Sequence, residues 1–445
     1  MSVMLKKSFL FITSLFIIAF TNGQGIFESA SQNQVNSGIN LSGYARGEAW
    51  GANSSFDYAS LFGEFALQGN LQTEKALLKA DVRFREGVFL GENKSIVELK
   101  EAYAAYRGNT VDLYMGKQIV PWGRTDGFNP TNNLNPCNYF LLTTNPDDQL
   151  TGSFMLRTKY RPLRFTELEL VFIPVFNPSV YRYDLFEISE EASFINAVLP
   201  ERTFENGTWA ARANFELSKI GFSFSYFNGY DPFYGYQVES VQMQPQPSIV
   251  LQPEFYRKQS IGVDFTAPIG TFILRGEAAY NITTGYKNEM HIPNPDIAYV
   301  AGIEKNIAGI TAIVQYIGKY TINFETLNEP TLTNPANIVE YALTMVNYEN
   351  TLFNRKIMHQ QEEMNHAVML SLSKSFSFDL ITTSISGYYN ITSEEYFVRP
   401  KINWKMANAL TFSAVAIIMN GPEKSIFNNA GKVLGGYGFG LKVNF

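Results

Sequence analysis

Tyr437-Gly438-Phe439-Gly440-Leu441-Lys442-Val443-Asn444-Phe445 closes the chain with an apolar residue at every odd position and a small or polar one at every even position. A period of two puts the two classes on opposite faces of a β-strand. One face then suits lipid and the other a wet lumen, as in a strand of a transmembrane barrel.

Working back from that strand, Leu434 to Phe445, similar segments recur along the chain. The first half gives Ile39 to Trp50, Tyr58 to Gly69, Lys75 to Leu90, Ile96 to Arg107, Val111 to Gln118, Thr151 to Tyr160, Phe165 to Pro174, Thr208 to Leu217 and Ile220 to Asn228. The second half adds Tyr256 to Ala267, Thr271 to Ile282, Asp296 to Asn306, Gly309 to Tyr320, Glu363 to Ser373, Ser377 to Tyr389, Glu395 to Lys405 and Ala409 to Met419. The chain thus reads as all-β, a single transmembrane antiparallel β-barrel of about 18 strands, with 16 the alternative count.

The connections alternate between the two ends. Asn70 to Glu74, Gly108 to Thr110, Arg161 to Arg164, Ser218-Lys219, Pro268 to Gly270, Ile307-Ala308, Lys374 to Phe376 and Met406 to Asn408 are short. Ile119 to Leu150, Val175 to Gly207, Gly229 to Phe255, Thr283 to Pro295, Thr321 to Glu362 and Asn420 to Val433 are long. With both termini periplasmic, the long loops fall outside and the short turns inside, the arrangement of outer-membrane barrels.

At the start, Lys6 and Lys7 precede the apolar run Ser8 to Phe20 and the polar stretch Thr21 to Gly25, which reads as a cleavable secretory signal over residues 1–24. Residues 25–38 then form a short periplasmic segment and 39–445 the barrel. So short a segment leaves no room for a plug domain, which argues against energy-coupled import. The one cysteine, Cys137, excludes an intrachain disulfide.

Composition agrees, with 25 Tyr, 36 Phe and 33 Gly, and a mean hydropathy of −0.10 in which lumen-facing polar residues cancel lipid-facing apolar ones. A net charge of −6 argues against nucleic acid as a partner. Phe445, at the end of an alternating strand, resembles the signal that hands outer-membrane barrels to their insertion machinery. That machinery and outer-membrane lipid are therefore expected partners.

Gly116-Lys117-Gln118-Ile119-Val120-Pro121-Trp122-Gly123-Arg124, followed by Asn132 to Pro136, and Leu274-Arg275-Gly276-Glu277-Ala278-Ala279-Tyr280 carry a further likeness. Together with Leu199-Pro200-Glu201 through Gly207 to Arg212, they resemble landmarks of a porin-like family of Gram-negative outer-membrane barrels related to the alginate-export channels. The resemblance spans most of the mature chain and implies a channel, with no catalytic residues and no cofactor.

The polar phase of each strand gives the expected lumen. In the third strand Lys75, Lys79, Asp81, Arg83 and Arg85 share one face; in the sixteenth, Arg399, Lys401, Asn403 and Lys405 do. Arg157, Lys159, Arg212 and Arg275 add cations, set against Glu167, Glu169, Glu216, Asp264 and Glu277. Such charges either set an anion preference or merely solvate the wall and pair across strands. Ile119 to Leu150 is the expected constriction loop, with Pro121-Trp122-Gly123 turning the chain off the strand so that Trp122, Arg124 and Asp126 project into the pore. Asp126, Asn129, Asn132, Asn133, Asp147 and Asp148 offer an alternative as a calcium-holding set, though no calcium-loop spacing is present.

In the largest loop Ile338, Tyr341, Ala342, Met345 and Tyr348 recur at helical spacing and predict a short amphipathic helix. Trp50, Trp209 and Trp404 fit an interfacial aromatic belt. His291, His359 and His366 are the only histidines, too few and too scattered for a His-dependent hydrolase. Passage of small hydrophilic solutes is the leading reading, with a preference for anions as its sharper form. A gated conduit for a polysaccharide or lipid-like molecule, an adhesive barrel, and a homo-oligomer stay open. An unbroken basic run along the lumen would favour polyanions, a greasy lumen patch apolar cargo.

Overall fold

The computed structural model describes residues 38–52, 59–185, 192–243 and 248–445. The expected signal and nearly all of the segment 25–38 lie outside the described residues.

Eighteen antiparallel strands, β1 to β18, form the barrel. They are β1 Gly38–Ala52, β2 Ser60–Gln72, β3 Ala76–Phe89, β4 Glu92–Arg107, β5 Val111–Gln118, β6 Ser153–Leu163, β7 Thr166–Ile173, β8 Thr208–Glu216 and β9 Gly221–Gln242. Then follow β10 Ser248–Ile269, β11 Phe272–Thr283, β12 Asp296–Ile307, β13 Ile310–Thr321, β14 Met364–Phe376, β15 Ile381–Asn390, β16 Glu395–Lys405, β17 Leu410–Asn420 and β18 Gly436–Asn444. Each pairs with its sequence neighbours, and β18 pairs with β1 from Tyr44 opposite Asn444 to Ala52 opposite Gly436, so the sheet closes. Phe445 extends that seam: its amide donates to the Gly43 carbonyl and its carbonyl accepts from the Gly43 amide, and its ring stacks on Phe65.

Alternation sorts the side chains. Phe65 and Leu67 on β2, Leu78, Val82 and Phe84 on β3, Val314 on β13, Leu370 on β14 and Ile402 on β16 all lie exposed on the outer face. A continuous apolar belt of this extent is unfavourable in water, and it suits strands long enough to cross a bilayer, which needs about 9–11 residues. No described helix is long and apolar enough to cross a membrane. The inward phase holds Arg46, Glu64, Arg83, Asp264 and Glu277, all buried.

The structure departs from the sequence expectation at the stretch from Gly229 to Phe255. In its described residues that stretch is strand, because β9 and β10 run 22 residues each and stay paired out to Gln242 opposite Ser248. Asp231-Pro232-Phe233 reads as a turn, yet it becomes a register shift between Tyr230 and Tyr234, where the Phe233 amide donates to Asp231 Oδ1 at 2.9 Å. A bulge admits a proline into a strand because the ladder asks no donor of it there. A three-residue strand, Ala192–Phe194, runs parallel to Ile249–Leu251 of this tall hairpin.

Two helices lie in loops. α1, Ile338–Ile357, contains the expected helix but runs further. Its buried residues are Asn350 and Asn354 rather than the Ile338 to Tyr348 stripe, because only its C-terminal half is seated. α2, Ile426–Leu434, replaces the plain loop expected between Asn420 and Val433; Ser425 caps it by accepting from the Asn428 amide. Trp50 also departs from expectation. It turns inward, 3% exposed, in the same phase as Arg46 and Glu48, and its ring lies against Gly438, which has no side chain to obstruct it. Trp209 and Trp404 do face outward.

Candidate functional site

Residues 119–152, between β5 and β6, fold into the barrel and are held against two separate parts of its wall. The first hold begins where the chain leaves β5. Val120 and Trp122 enter an apolar cluster with Leu134, Met155, Val171, Ile173, Ala210 and Phe227. Trp122 is therefore buried, 2% exposed, with its indole N–H donating to Glu169 at 3.0 Å. It anchors the loop instead of projecting into open lumen, since its large apolar surface is better satisfied on the Val171 and Ile173 patch than in water.

Beyond it the backbone meets Glu277 of β11. That carboxylate accepts from the Arg124 amide, the Thr125 amide at 2.6 Å, the Thr125 hydroxyl at 2.8 Å and the Thr131 hydroxyl at 3.0 Å. Gly123 makes this approach feasible. Its φ is +103°, and a Cβ there would lie 2.6 Å from a Glu277 oxygen. The Arg124 side chain spans further, donating to Asp264 at 2.7 Å and to Asn214 and Glu216 at 2.5 Å. Asp126 accepts from Arg275 at 2.7 Å, and Arg275 also reaches Glu304.

The second hold centres on Asp148, in a short 3₁₀ turn, Pro146–Gln149. Its carboxylate accepts from Arg46 of β1 at 2.6 Å and Arg83 of β3 at 2.8 Å, and its carbonyl accepts from Lys100 of β4 at 2.6 Å. Arg46 also faces Glu48 and Glu64, and Arg83 also pairs with Asp81 at 3.1 Å. Arg85 bridges Glu64 and Glu98, while Thr144 donates to Glu48. Charges this buried are stable only when paired, and here each arginine and carboxylate has an opposite charge within ion-pair distance, although Arg46 Nη2 and Arg85 Nη2 are buried without a hydrogen bond.

Several other expected lumen residues pair along the wall. Lys79 meets Glu101 at 2.6 Å, and Arg212 meets Asp264 at 3.0 Å. Arg157 meets Glu169 at 3.3 Å and lies over the Tyr114 ring. Arg157, Glu169 and Arg212 line, with Trp122, a cavity of about 180 Å³.

The arc β14 to β18 differs. The loop makes no hydrogen bond or ion pair to β14–β17 among the described residues. Arg399 and Lys401 on β16 and Lys442 on β18 have no ion-pair partner among the described residues, and the Arg399 Nε is buried without a hydrogen bond. Lys442 lies 4.0 Å over the Tyr44 ring. Strand register places Ser386 opposite Arg399 and Ser384 opposite Lys401, with Ser371 and Ser373 on the next strand. Lys405, expected among these cations, is exposed at the short-turn end of β16 and joins no cluster.

The oxygen-rich set proposed for calcium is dispersed, with Asp126 on Arg275 and Asp148 on Arg46 and Arg83. Among the described residues no group of three or more such ligands assembles. The histidines lie apart: His291 near Glu254 at 3.6 Å, His366 outward against Tyr316, and His359 below α1.

Above the lumen, the C-terminal half of α1 is fixed by Asn354. It accepts from the Tyr236 amide at 2.7 Å and donates to the Tyr236 and Met290 carbonyls. Lys356 reaches the Lys424 carbonyl on the opposite loop. The helix thus bridges the long-loop end from the tall hairpin to the β17–β18 connection.

Arg46, Glu48, Glu64, Lys100 and Lys442 escaped the sequence reading. Their signal was present: Lys442 sits in the polar phase of the closing strand, and Arg46 and Glu48 share a phase with Tyr44.

No protein-family model and no curated protein matches the sequence. Solved structures do resemble the fold. Pseudomonas aeruginosa OccK5 (OpdH) superposes with a TM-score of 0.53 at 9% identity, over 92% of this chain and 97% of that one. Acinetobacter baumannii OccAB4 gives 0.53 at 10% identity over 93% and 99%, and OccAB2 of the same organism 0.52 at 10% over 93% and 99%. These are outer-membrane porins of the Occ family, and the likeness is one of fold, a closed barrel of 18 strands.

Proposed function

We propose that this chain is an outer-membrane channel for small hydrophilic solutes with a preference for anions, its termini on the periplasmic side. One observation carries the reading. A long loop is moored to β1–β4 and to β8–β11, while the facing arc presents Arg399, Lys401 and Lys442 without carboxylate partners. Passage therefore runs along β14–β18, where serines and unpaired cations meet the solute. Cations lining a constriction favour anions, whereas paired ones contribute little field.

The basic run is not continuous from end to end, since Glu277, Asp264 and Glu304 interrupt it on the other wall. That argues against a polyanion conduit. A second reading, a gated conduit related to the alginate-export channels, draws support from α1 bridging the long-loop end.

Single-channel conductance of the refolded protein in a planar bilayer, with reversal potentials in a salt gradient, tests both. A steady channel selective for anions supports the first reading. A silent barrel that conducts only after residues 119–150 are shortened supports the second, and silence in both overturns transport.

A further inference from the structure

A cavity of about 240 Å³ lies one inward step above the Arg399 rung, lined by Gly127, Phe128, Ile317, Met369, Tyr388, Phe397 and Phe427 among others. It gathers four separate parts of the chain: the tip of the moored loop, the wall strands β13 to β16, His359 just beyond α1, and α2. Phe128 packs with Met369 and Tyr388 against Val300, Ile317 and Ala367. The Tyr388 and Phe397 rings stack at 5.6 Å, with Phe427 5.9 Å from Tyr388.

The polar groups at its edge define the chemistry. Lys319 is already satisfied, donating to the Met358 carbonyl at 2.8 Å and facing Asp296 at 3.5 Å. Packing around the His359 ring, with Lys319 nearby, holds its pKa down to about 4, so the imidazole is neutral at pH 7. The Asn365 side-chain oxygen is buried and has no hydrogen-bond partner among the described residues. The cavity therefore offers an apolar body, the unmet Asn365 acceptor, the edge of a neutral His359 ring and no free charge. An acceptor left unmet in such surroundings is unfavourable, and a bound donor would satisfy it. An apolar cavity of about 150 Å³ suffices for benzene, so this one takes a substituted ring.

We propose that this cavity is a binding site for a small, uncharged, mostly apolar molecule carrying one hydrogen-bond donor, of the size and kind of a phenol. The ring lies among Phe128, Met369, Tyr388 and Phe427, and its hydroxyl donates to Asn365. This site is separate from the cationic rungs below it and does not require the chain to conduct.

The test is a fluorine NMR titration of the refolded full chain in micelles with 4-fluorophenol and fluorobenzene, folding being read from heat-modifiable gel mobility. Saturable binding of both probes, competed by unlabelled phenol, is the expected result. Ala367→Phe, which fills the cavity, should abolish it; Met369→Trp serves the same purpose should the first variant not fold. Asn365→Leu should weaken 4-fluorophenol at least fivefold and leave fluorobenzene within twofold. No saturable binding by the folded barrel, or binding undiminished by a folded cavity-filling variant, overturns the site. Equal loss of both probes in Asn365→Leu overturns the donor assignment. Binding is read without a membrane, so its failure leaves the channel reading standing, and a silent bilayer leaves the cavity standing.

Discussion

Arg46 and Arg83, on the inward faces of β1 and β3, are 6% and 8% exposed and converge on Asp148. Arg399, Lys401 and Lys442, on β16 and β18, point into the same lumen and make no ion pair among the described residues, with Asp147, Asp148, Glu48 and Glu64 acting on them only at longer range. The difference lies in the wall as well as the loop, since β1–β3 also set Glu48, Glu64 and Asp81 beside these arginines. Where residues 119–152 lie against the sheet, cations are consumed in mooring them. Where the loop makes only apolar contact, through Phe128 on Met369 and Tyr388, the same residue types keep their field for whatever passes. Sequence alone supplies both sets, and the wall carboxylates together with the path of the loop divide them.

The division can be broken from the moored side first. Asp148→Asn leaves Arg46 and Arg83 facing each other with one shared partner lost. Breaking a buried pair costs about 3–5 kcal/mol, and the lower end is expected because Arg46 keeps Glu64 and Arg83 keeps Asp81. Thermal unfolding should register that loss, and bilayer current should become larger and noisier as the loop end swings free. An unchanged melting point together with an unchanged current would show that Asp148 is not a mooring.

Glu277→Gln acts at the other hold. The carboxylate accepts four hydrogen bonds from the loop. Replacing its charge by an amide should cost about 2 kcal/mol, given about 1.5–3 for a hydrogen bond to a charged group, and open-channel noise should rise less than in Asp148→Asn.

On the open side, the combined Arg399→Gln, Lys401→Gln variant should change stability by no more than about 0.5 kcal/mol, because it breaks no ion pair. Its reversal potential should nevertheless shift toward cations. A stability loss as large as that of Asp148→Asn would mean that these cations are structural after all.

The smallest effect concerns α1. His359 has its pKa lowered from the ordinary 6.5 to about 4 by burial and by Lys319. The folded form therefore prefers the neutral ring, and the seating of α1 is strongest above pH 6.5 and weakens as pH falls from there toward 4. Proteolysis within residues 338–357 should accelerate over that window in the wild type and lose this dependence in His359→Gln.

Much of this architecture is written in period two. The phase of Lys79, Asp81, Arg83 and Arg85 against Leu78, Val82 and Phe84 came from alternation, and the structure shows that phase. So did the phase of Arg399, Lys401 and Asn403. What period two does not encode is partnership across the lumen. Asp148 reads as one more loop acid, and nothing local marks it as the meeting point of β1, β3 and β4. Trp122 was legible as a residue that turns the chain, but its burial depends on Val171 and Ile173, which lie on a distant strand. The tall hairpin was hidden because Asp231-Pro232 carries turn chemistry that a bulge absorbs equally well. α2 was hidden because nine residues give a helix too little period to stand out.

The closing of β18 on β1, with Phe445 tied to Gly43 in both directions, has a consequence in time. These partners stand nearly the whole chain apart, and contacts of such separation are the slowest to form. Until β18 arrives, β1 is an unpaired edge with open amides and carbonyls, a template for any other strand. Fidelity of assembly thus rests on a single late event at one seam, and damage to the Gly43–Phe445 pairing should surface as stalled, aggregating intermediates before it surfaces as an unstable finished barrel.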